Sequence, residues 1–317
     1  MERRSRQAEI FLRQAEYCDS RSPLYAQLCR ALAEDERVAE LAPDLRWDFP
    51  LRLLGGLHYL VLSGDASWDD VPRALEAHRD FLARFAGQTV QTNEVARAWA
   101  LLPGLLSLGA PRVDLVELGT SAGLLLALDD YDYRYRAGSW GRGADELVLR
   151  GDDRGGPPAS LLSRSLVVGR RIGIDVNPIV PDEDGARLLE AFVWPDQHER
   201  VERLRRAVEL ARRREIELVR GDYVDVLPAV LEQRRDDALT VVLSSVSTVY
   251  LGDERYEELL VALARAGTRA PLAWVALEAP RNQPDYGATV LEVTTWPRPR
   301  PRRLAKVDFH AQWLEWL

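Results

Sequence analysis

Short apolar runs recur along the chain from residue 113 onward, and most of them end on a polar or acidic residue. Helical stretches separate the runs. One helical stretch has an apolar stripe of Val201, Leu204 and Val208. Asp196 and Glu199, just before this stripe, have the spacing of a capping box. This alternation predicts an α/β fold with one mostly parallel sheet whose polar strand ends lie along a single edge. The runs are Val113–Glu117, Arg171–Asp175, Ile216–Asp222, Leu239–Ser245 and Leu272–Glu278.

The first third of the chain is helical by pattern, from Ser5 to Leu108. Ser22 and Pro23 are typical of a helix start, and leucines follow them at helical spacing. The sequence therefore predicts a helical N-terminal domain over residues 1–110 and an α/β domain over residues 111–317.

A long insertion lies between the first and second apolar runs. About fifty residues separate Gly123 from Asp175, more than a single crossover helix needs. Tyr131–Arg136 and Glu146–Arg150 alternate in polarity around a glycine-bearing turn, so we expect a β-hairpin at about residues 129–168. Such a hairpin would either cover a sheet edge or form a lid on the substrate side, and the sequence favours neither.

The turn after the first apolar run carries Glu117, Gly119, Ser121 and Gly123, and Leu124–Leu128 then reads as the start of a helix. Glycines let the backbone approach a ligand closely, and free N–H groups at a helix start face its polar end. Strand, small-residue turn and helix together predict a nucleotide-binding loop. Similar turns also occur in folds that bind nothing.

Polar residues also follow the later strands. Asp175 ends the second run and precedes Asn177, Asp222 and Tyr223 follow the third run, and Ser244 lies at the end of the fourth. In open parallel sheets ligands bind at the carboxyl ends of strands, and an acid ending the second strand can bind both ribose hydroxyls. We therefore expect these residues to surround one binding site.

Several segments together resemble a known family. The acid at 117 with small residues two, four and six positions later matches the Glu/Asp-x-Gly-x-Gly-x-Gly motif of S-adenosylmethionine-dependent methyltransferases, with Ser121 replacing the central glycine. Most of the chain resembles a bacterial domain-of-unknown-function family, number 2332, whose members resemble class I methyltransferases. One departure is His310-Ala311, where a His-Gly pair is expected. The resembling segments are Gln91–Val95, Glu117–Leu124, Gly173–Pro178, Val193–Gln197 and Arg220–Asp222.

The resemblance implies a class I methyltransferase-like, Rossmann-like domain that binds S-adenosylmethionine. The resemblance implies that the loop at 119–123 would hold the methionine part of S-adenosylmethionine and that Glu117 would bind its ammonium group. Asp175 would accept hydrogen bonds from the ribose hydroxyls, and Asp222 would accept one from the adenine amino group. Tyr223 would lie beside the adenine ring. Each of these residues also has a structural reading as a strand-end or turn residue. The expected cofactor-binding set further includes Ser121, Asn177 and Ser244.

The C-terminal segment distinguishes two kinds of nucleotide-binding sheet. Ala288–Thr295 and Arg303–Trp316 predict two strands around a tip rich in proline and arginine. Class I methyltransferases add an antiparallel pair after the fifth strand, whereas a Rossmann-type dehydrogenase carries a sixth parallel strand. The sequence thus favours a mostly parallel sheet with an antiparallel C-terminal strand.

Composition narrows the choice of partners. The 317 residues carry a formal charge of -8, whereas nonspecific nucleic-acid binding needs a basic face. We therefore expect a small-molecule substrate and not a nucleic-acid partner. No apolar run approaches the ~20 residues that span a bilayer, and the charged start does not resemble a signal peptide. With Cys18 and Cys29 expected as reduced thiols, we predict a cytoplasmic protein. The four histidines lack ligand-like spacing, so no metal is expected.

The residues that would act on a methyl acceptor are less clear from the sequence. The segment from Ser244 to Tyr250 lacks the Asn/Asp-Pro-Pro-Tyr signature of amine methylation. Tyr250, His310, Asp308 and Glu94 are candidates for proton handling, although each residue type is common in purely structural positions.

Three functions are compatible with these patterns. The first is a methyltransferase that acts on a small molecule. The second is a methyltransferase-like fold that binds an adenosyl ligand or a partner protein without catalysis, which Ser121 and the missing acceptor motif suggest. The third is a nicotinamide-dependent oxidoreductase, which uses a similar acid at a strand end.

Overall fold

The computed structural model describes residues 2–41, 45–88, 90–91, 93–281, 283 and 287–317. The chain divides into two compact units, each made of two segments. The helical unit contains Met1–Asn93 and Pro181–Arg205, and the sheet unit contains Glu94–Val180 and Arg206–Leu317. The boundary predicted near residue 110 lies inside the sheet unit, and residues 181–205 return to the helical unit.

The described residues form twelve α-helices, and seven of them precede the first strand of the sheet. They are α1 (Glu2–Cys18), α2 (Pro23–Ala33), α3 (Glu36–Leu41), α4 (Phe49–Ser63), α5 (Val71–Ala77), α6 (Arg79–Ala86), α7 (Arg97–Ser107), α8 (Ala159–Leu162), α9 (Glu183–Ala191), α10 (His198–Arg212), α11 (Tyr223–Glu232) and α12 (Asp253–Arg269). Short 3-10 helices cover Trp68–Asp70, Leu124–Asp130 and Thr248–Tyr250.

The start of α2 shows how local signals shape the helical unit. The Ser22 hydroxyl accepts a hydrogen bond from the Tyr25 amide, with Pro23 at the first helical position, as predicted. Asp196 does not cap α10, which begins at His198. Its carboxylate instead accepts from the Ser22 hydroxyl at 2.7 Å and from the Leu24 amide at 3.3 Å. The predicted capping box is therefore wrong, because the Asp196 carboxylate accepts hydrogen bonds from residues distant in the sequence instead.

A nine-stranded sheet forms the core of the sheet unit, in the order β5-β12-β11-β10-β9-β8-β1-β6-β7. Strands β7, β6, β1, β8 and β9 run parallel to one another, so the prediction of an α/β fold with a large, mostly parallel sheet is confirmed. The main strands are β1 (Arg112–Leu118), β5 (Asp152–Asp153), β6 (Val167–Asp175), β7 (Glu217–Arg220), β8 (Leu239–Ser245), β9 (Leu272–Glu278), β10 (Thr289–Trp296), β11 (Arg302–Val307) and β12 (Trp313–Trp316).

The strand order places a topological switch point between β1 and β8. The chain runs outward from β1 through β6 to β7, and then continues on the other side of β1 with β8 and β9. Helices α11 and α12 pack on the sheet through Leu227, Leu259 and Leu263, which are fully buried. Ligands of open α/β sheets bind at such a switch point, beyond the carboxyl ends of the strands.

The C-terminal segment forms three antiparallel strands instead of the predicted two. β10 runs antiparallel to β9, and β11 and β12 follow as a meander. The predicted strand Arg303–Trp316 is interrupted because the Asp308 carboxylate accepts from the amides of His310 and Gln312, and Ala311 has a left-handed φ of 55°. The predicted antiparallel direction of the C-terminal strand is present.

The insertion contains a small three-stranded sheet, and its pairing differs from the predicted hairpin. β2 (Asp132–Tyr135) pairs antiparallel with β3 (Gly138–Trp140) but parallel with β4 (Val148–Leu149). The prediction paired the two outer segments directly. Because β3 reverses the chain first, the second segment approaches β2 in the same direction instead of the opposite one.

Candidate functional site

The glycine loop after β1 is bonded tightly to β6. The amides of Gly119 and Thr120 donate to the Ile174 carbonyl at 2.9 and 3.2 Å, and the Gly123 amide donates to the Thr120 carbonyl at 2.9 Å. The Ser121 amide donates to the Asp175 carboxylate at 2.8 Å. Four amides of the loop are therefore engaged within the protein and are not offered to a ligand.

The helix predicted after the loop is a seven-residue 3-10 helix, Leu124–Asp130. Its poorer hydrogen-bond geometry and short length give a much weaker N-terminal dipole than an α-helix would have. The Arg171 guanidinium, in a buried ion pair with Asp129, also donates to the Leu126 carbonyl, which ties this segment to β6. The loop therefore lacks the anion-binding helix start that the sequence predicted.

Three loop residues have left-handed backbone, with φ of +71° at Gly119, +52° at Ser121 and +71° at Gly123. A Cβ atom on Gly119 would lie 2.8 Å from the Cβ of Ser247. The close approach that the sequence assigned to a ligand is thus made by a residue of the same chain. Glycine is needed at 119 for packing as well as for backbone torsion.

Gly119→Ala should lower the free energy of unfolding by about 2–4 kcal/mol, because the left-handed torsion and the clash with Ser247 both destabilise the fold. Gly143→Ala is the matched control, since Gly143 has φ +70° with nothing within 4 Å of its added Cβ. Urea denaturation of both variants measures the difference. Equal losses in the two variants would show that Ser247 does not crowd Gly119.

Asp175, at the end of β6, organises the loop. Its Oδ2 accepts from the Ser121 amide and its Oδ1 from the Asn177 amide, both at 2.8 Å, and only 8% of the residue is exposed. A carboxylate facing an open, empty cleft would be solvated. Asp175 is instead buried, since the loop and the turn after β6 fold over it.

Glu117 is a buried acid beside Asp175. It is 4% exposed, and its Oε2 accepts from the Thr120 hydroxyl at 2.6 Å. The pKa of Glu117 is raised to about 8, mainly by burial and also by the Asp175 charge, while the Thr120 hydrogen bond and the Arg97 charge oppose the shift. At neutral pH the unliganded protein therefore holds Glu117 mostly protonated.

Three predicted cofactor-binding residues have partners in the protein. Asp222 caps α11 through the Val224 amide at 2.9 Å and forms an ion pair with Arg255 at 3.0 Å. The Tyr223 hydroxyl donates to the Ser247 carbonyl at 3.2 Å. Asn177 is exposed, and its side-chain oxygen accepts from Arg220 at 3.1 Å.

The ends of β8 and β9 hold several buried polar groups. Ser244 is fully buried, and its hydroxyl accepts a hydrogen bond from the Trp274 indole N–H at 3.1 Å. Its side chain is therefore bonded within the core of the sheet unit. Glu278 Oε1 accepts from the amides of Ser247 and Thr248 at 3.2 and 3.3 Å, and burial raises its pKa. Sequence reasoning recognised Glu278 only as a strand end, although an acid at the end of the fifth apolar run was a usable signal.

The four candidates for proton handling lie in different settings. Tyr250 is 67% exposed, and Asp308 stabilises the turn between β11 and β12. Glu94 is buried, and its Oε2 lies 3.7 Å from the Nδ1 of His310, so the structure does bring this pair together. Glu94 lies in the Gln91–Val95 segment, in which Thr92 is outside the described residues.

Arg97 is a buried cation that sequence reasoning missed. Its guanidinium donates to the Phe309 carbonyl at 2.9 Å and to the Ser245 carbonyl at 3.3 Å, and its charge acts on Glu117. It connects the C-terminal turn to the end of β8. Its position at the first residue of α7 gave no periodic or motif signal.

Two features are absent from the described residues. No group of three or more His, Cys, Asp or Glu side chains is arranged to hold a metal ion. Within the same part of the chain, no helix is long and apolar enough to cross a membrane.

The parallel core, the switch point and the loop after β1 define an α/β protein whose sheet is consistent with the Rossmann-like class. The chain belongs to the family described as "Uncharacterized protein conserved in bacteria (DUF2332)", whose model matches residues 8–316. The family predicted from the sequence is therefore confirmed. A search among curated proteins found no match.

Proposed function

We propose that the sheet unit binds S-adenosylmethionine at the carboxyl ends of its parallel strands and methylates a small molecule. The observation that carries this proposal is the bond between the acid ending β6 and the loop after β1, Asp175 Oδ2 to the Ser121 amide. The loop follows β1, which borders the switch point where open α/β sheets bind nucleotides, and β6 is the strand next to β1. Their contact assembles the two motifs that the family resemblance relates to an adenosyl ligand.

The acidic side chains at the strand ends favour a cationic ligand over a pyrophosphate. Glu117, Asp175 and Glu278 end β1, β6 and β9 or lie within one residue of those ends, and Arg97 is the cation that acts on Glu117. A dinucleotide would need free amides at an α-helix start, and four loop amides are engaged within the protein. These features support a sulfonium and ammonium ligand over NAD(H), as does the antiparallel direction of β10.

The residues present fit S-adenosylmethionine in part. Glu117 would hold the ammonium once ionised, and each Asp175 oxygen keeps a lone pair for a ribose hydroxyl beside its backbone bond. Tyr223 would lie beside the adenine ring. The bound cofactor supplies a methyl group on a sulfonium, and the protein mainly needs to position the acceptor.

A second function is supported by the closure of the loop. Ser247 packs against Gly119, and the Tyr223 hydroxyl holds the Ser247 carbonyl. Cofactor entry therefore requires the segment after β8 to move. A protein that binds an adenosyl ligand without turnover would tolerate such closure, so non-catalytic binding remains the alternative to methyl transfer.

Tyr223→Phe should accelerate the association of S-adenosylhomocysteine several-fold, because it removes the hydrogen bond that holds the segment after β8. Unliganded stability should fall by about 1 kcal/mol or less. Tyr250→Phe, which removes an exposed hydroxyl, is the control. Stopped-flow fluorescence gives the rate constants, and equal rates in wild type and Tyr223→Phe would contradict a closing role for this bond.

A thermal-shift screen tests the proposed ligand class. S-adenosylmethionine and S-adenosylhomocysteine should raise the melting temperature, because a ligand that binds only the folded state stabilises it by mass action. Adenosine should have a smaller effect and NADH none. Stabilisation by NADH without stabilisation by either sulfur-containing ligand would support the oxidoreductase alternative.

A further inference from the structure

Several buried polar atoms near the ends of β8 and β9 make no hydrogen bond within the described residues. The Oγ atoms of Ser245 and Ser247 and the Oε2 atom of Glu278 are buried, and none of them has a hydrogen-bond partner among the described residues. Ser247 itself is 8% exposed. Leaving a buried polar group unpaired is energetically costly, so folded proteins rarely do so without a reason. Three such atoms at neighbouring strand ends indicate a ligand subsite.

Other contacts place these atoms beside the glycine loop. Glu278 Oε1 accepts from the Ser247 amide at 3.2 Å, so the carboxylate lies against the segment that carries Ser247. The Cβ of Ser247 in turn lies 2.8 Å from where a Cβ on Gly119 would be. Ser121, two residues further along the loop, has a buried Oγ that also has no hydrogen-bond partner in the described part of the chain. The unpaired oxygens thus belong to segments that pack on one another at the switch point.

The number and kind of these atoms match a particular chemical group. A primary ammonium has three N–H donors and no acceptor, and a carboxylate with two hydroxyls offers three oxygen acceptors. The surroundings are acidic, since Glu117 and Asp175 end the adjoining strands, while Arg97 donates to the Ser245 carbonyl at 3.3 Å. A cation that brings three donors would satisfy the unpaired oxygens of Ser245, Ser247 and Glu278.

We propose that Ser245, Ser247 and Glu278 form an amine subsite, in which Glu278 Oε2 and the two serine hydroxyls receive the ammonium of a small aliphatic amine. Taking this amine as the methyl acceptor rests on the proposed function, but amine binding itself does not. An aliphatic ammonium is recognised by charge and by oxygen acceptors, so the missing Asn/Asp-Pro-Pro-Tyr signature does not oppose it. Burial raises the pKa of Glu278, and an arriving ammonium would favour its ionised form.

The test compares amines with alcohols of the same shape. Ethanolamine, 1,4-diaminobutane and benzylamine are titrated at pH 7.5 against ethylene glycol, 1,4-butanediol and benzyl alcohol, with binding followed by ligand-observed NMR. We expect at least one amine to bind tenfold or more tightly than its alcohol. Glu278→Gln should remove that preference, and Glu254→Gln, which removes an exposed carboxylate of α12, should keep it. No amine preference, or one that survives in Glu278→Gln, overturns the amine subsite.

Two further measurements separate the possible failures. Affinity for S-adenosylhomocysteine should stay within twofold in Glu278→Gln, since that ligand is assigned to Glu117 and Asp175. Amine binding without S-adenosylhomocysteine binding would support the amine subsite and reject the proposed function. S-adenosylhomocysteine binding without amine binding would support the proposed function and reject the amine subsite. If Glu278→Gln does not fold, Ser247→Ala decides, with an expected three- to tenfold loss of amine affinity and no loss for the alcohols.

Discussion

Asp175→Ala is expected to weaken S-adenosylhomocysteine binding by about one to three orders of magnitude and to lower the unliganded free energy of unfolding by about 2–4 kcal/mol. The affinity falls because the carboxylate is assigned to both ribose hydroxyls. The stability falls because its oxygens accept from the Ser121 and Asn177 amides, both at 2.8 Å, in a buried setting. Calorimetry and urea denaturation measure the two effects.

Variants with smaller changes sharpen this prediction. Asp175→Asn should show an intermediate loss of stability, because its single acceptor oxygen can serve only one of the two amides. Asp236→Ala, which removes an exposed carboxylate, should change neither quantity. Lost stability with unchanged affinity would reduce Asp175 to a loop-bracing residue and refute the ribose assignment. Lost affinity with unchanged stability would contradict its two backbone bonds.

Glu117→Gln is expected to stabilise the unliganded protein increasingly as the pH rises. The pKa of Glu117 is raised from 4.5 to about 8, so the folded protein holds a proton that the unfolded chain releases. Its contribution to stability is therefore complete below pH 4.5 and is lost as the pH rises through about 8. The stability advantage of Glu117→Gln over wild type should grow by on the order of 3 kcal/mol between pH 5.5 and 8.5.

The same carboxyl group links pH to ligand binding. An ammonium beside Glu117 requires the ionised form, so binding should release a proton and tighten by up to tenfold per pH unit below about pH 7.5. Glu117→Gln should lose this dependence, whereas an exposed control such as Glu232→Gln should retain it. Urea denaturation at the two pH values and calorimetry in buffers of different ionisation enthalpy provide the readouts. A pH-independent difference from wild type would mean that Glu117 titrates normally.

The sheet could be predicted from the sequence because its signals are local. The apolar runs that became β1, β6, β8 and β9 are buried on both faces, so they appear as continuous hydrophobic stretches bounded by polar residues. The loop with Gly119 and Gly123 was recognised for the same reason, since left-handed torsions restrict the residue type.

The errors have long-range causes. Asp196 resembles a helix cap by spacing, but its partners Ser22 and Leu24 lie more than 170 positions away in the sequence. The run from Leu124 forms a 3-10 helix in a segment that is bonded to Arg171 on the neighbouring strand. Periodicity describes one element at a time and carries no information about such partners.

The candidate site shows the same limit. Asp175 was selected correctly as a strand-end acid, but its burial depends on how the loop at Ser121 folds over it. Glu278 and Ser247 have no motif of their own, and their significance lies in unpaired atoms that only three-dimensional packing reveals. Strand ends can therefore be found from the sequence, whereas the state of their side chains cannot.

A calorimetric titration of the wild-type protein with S-adenosylhomocysteine, repeated with NADH under identical conditions, tests the central claim most directly. The acidic strand ends, the engaged loop amides and the antiparallel β10 predict saturable binding of S-adenosylhomocysteine with one site per chain and no heat of binding with NADH. Saturable binding of NADH together with no binding of S-adenosylhomocysteine would contradict the assignment of the switch point to an adenosyl-sulfur ligand.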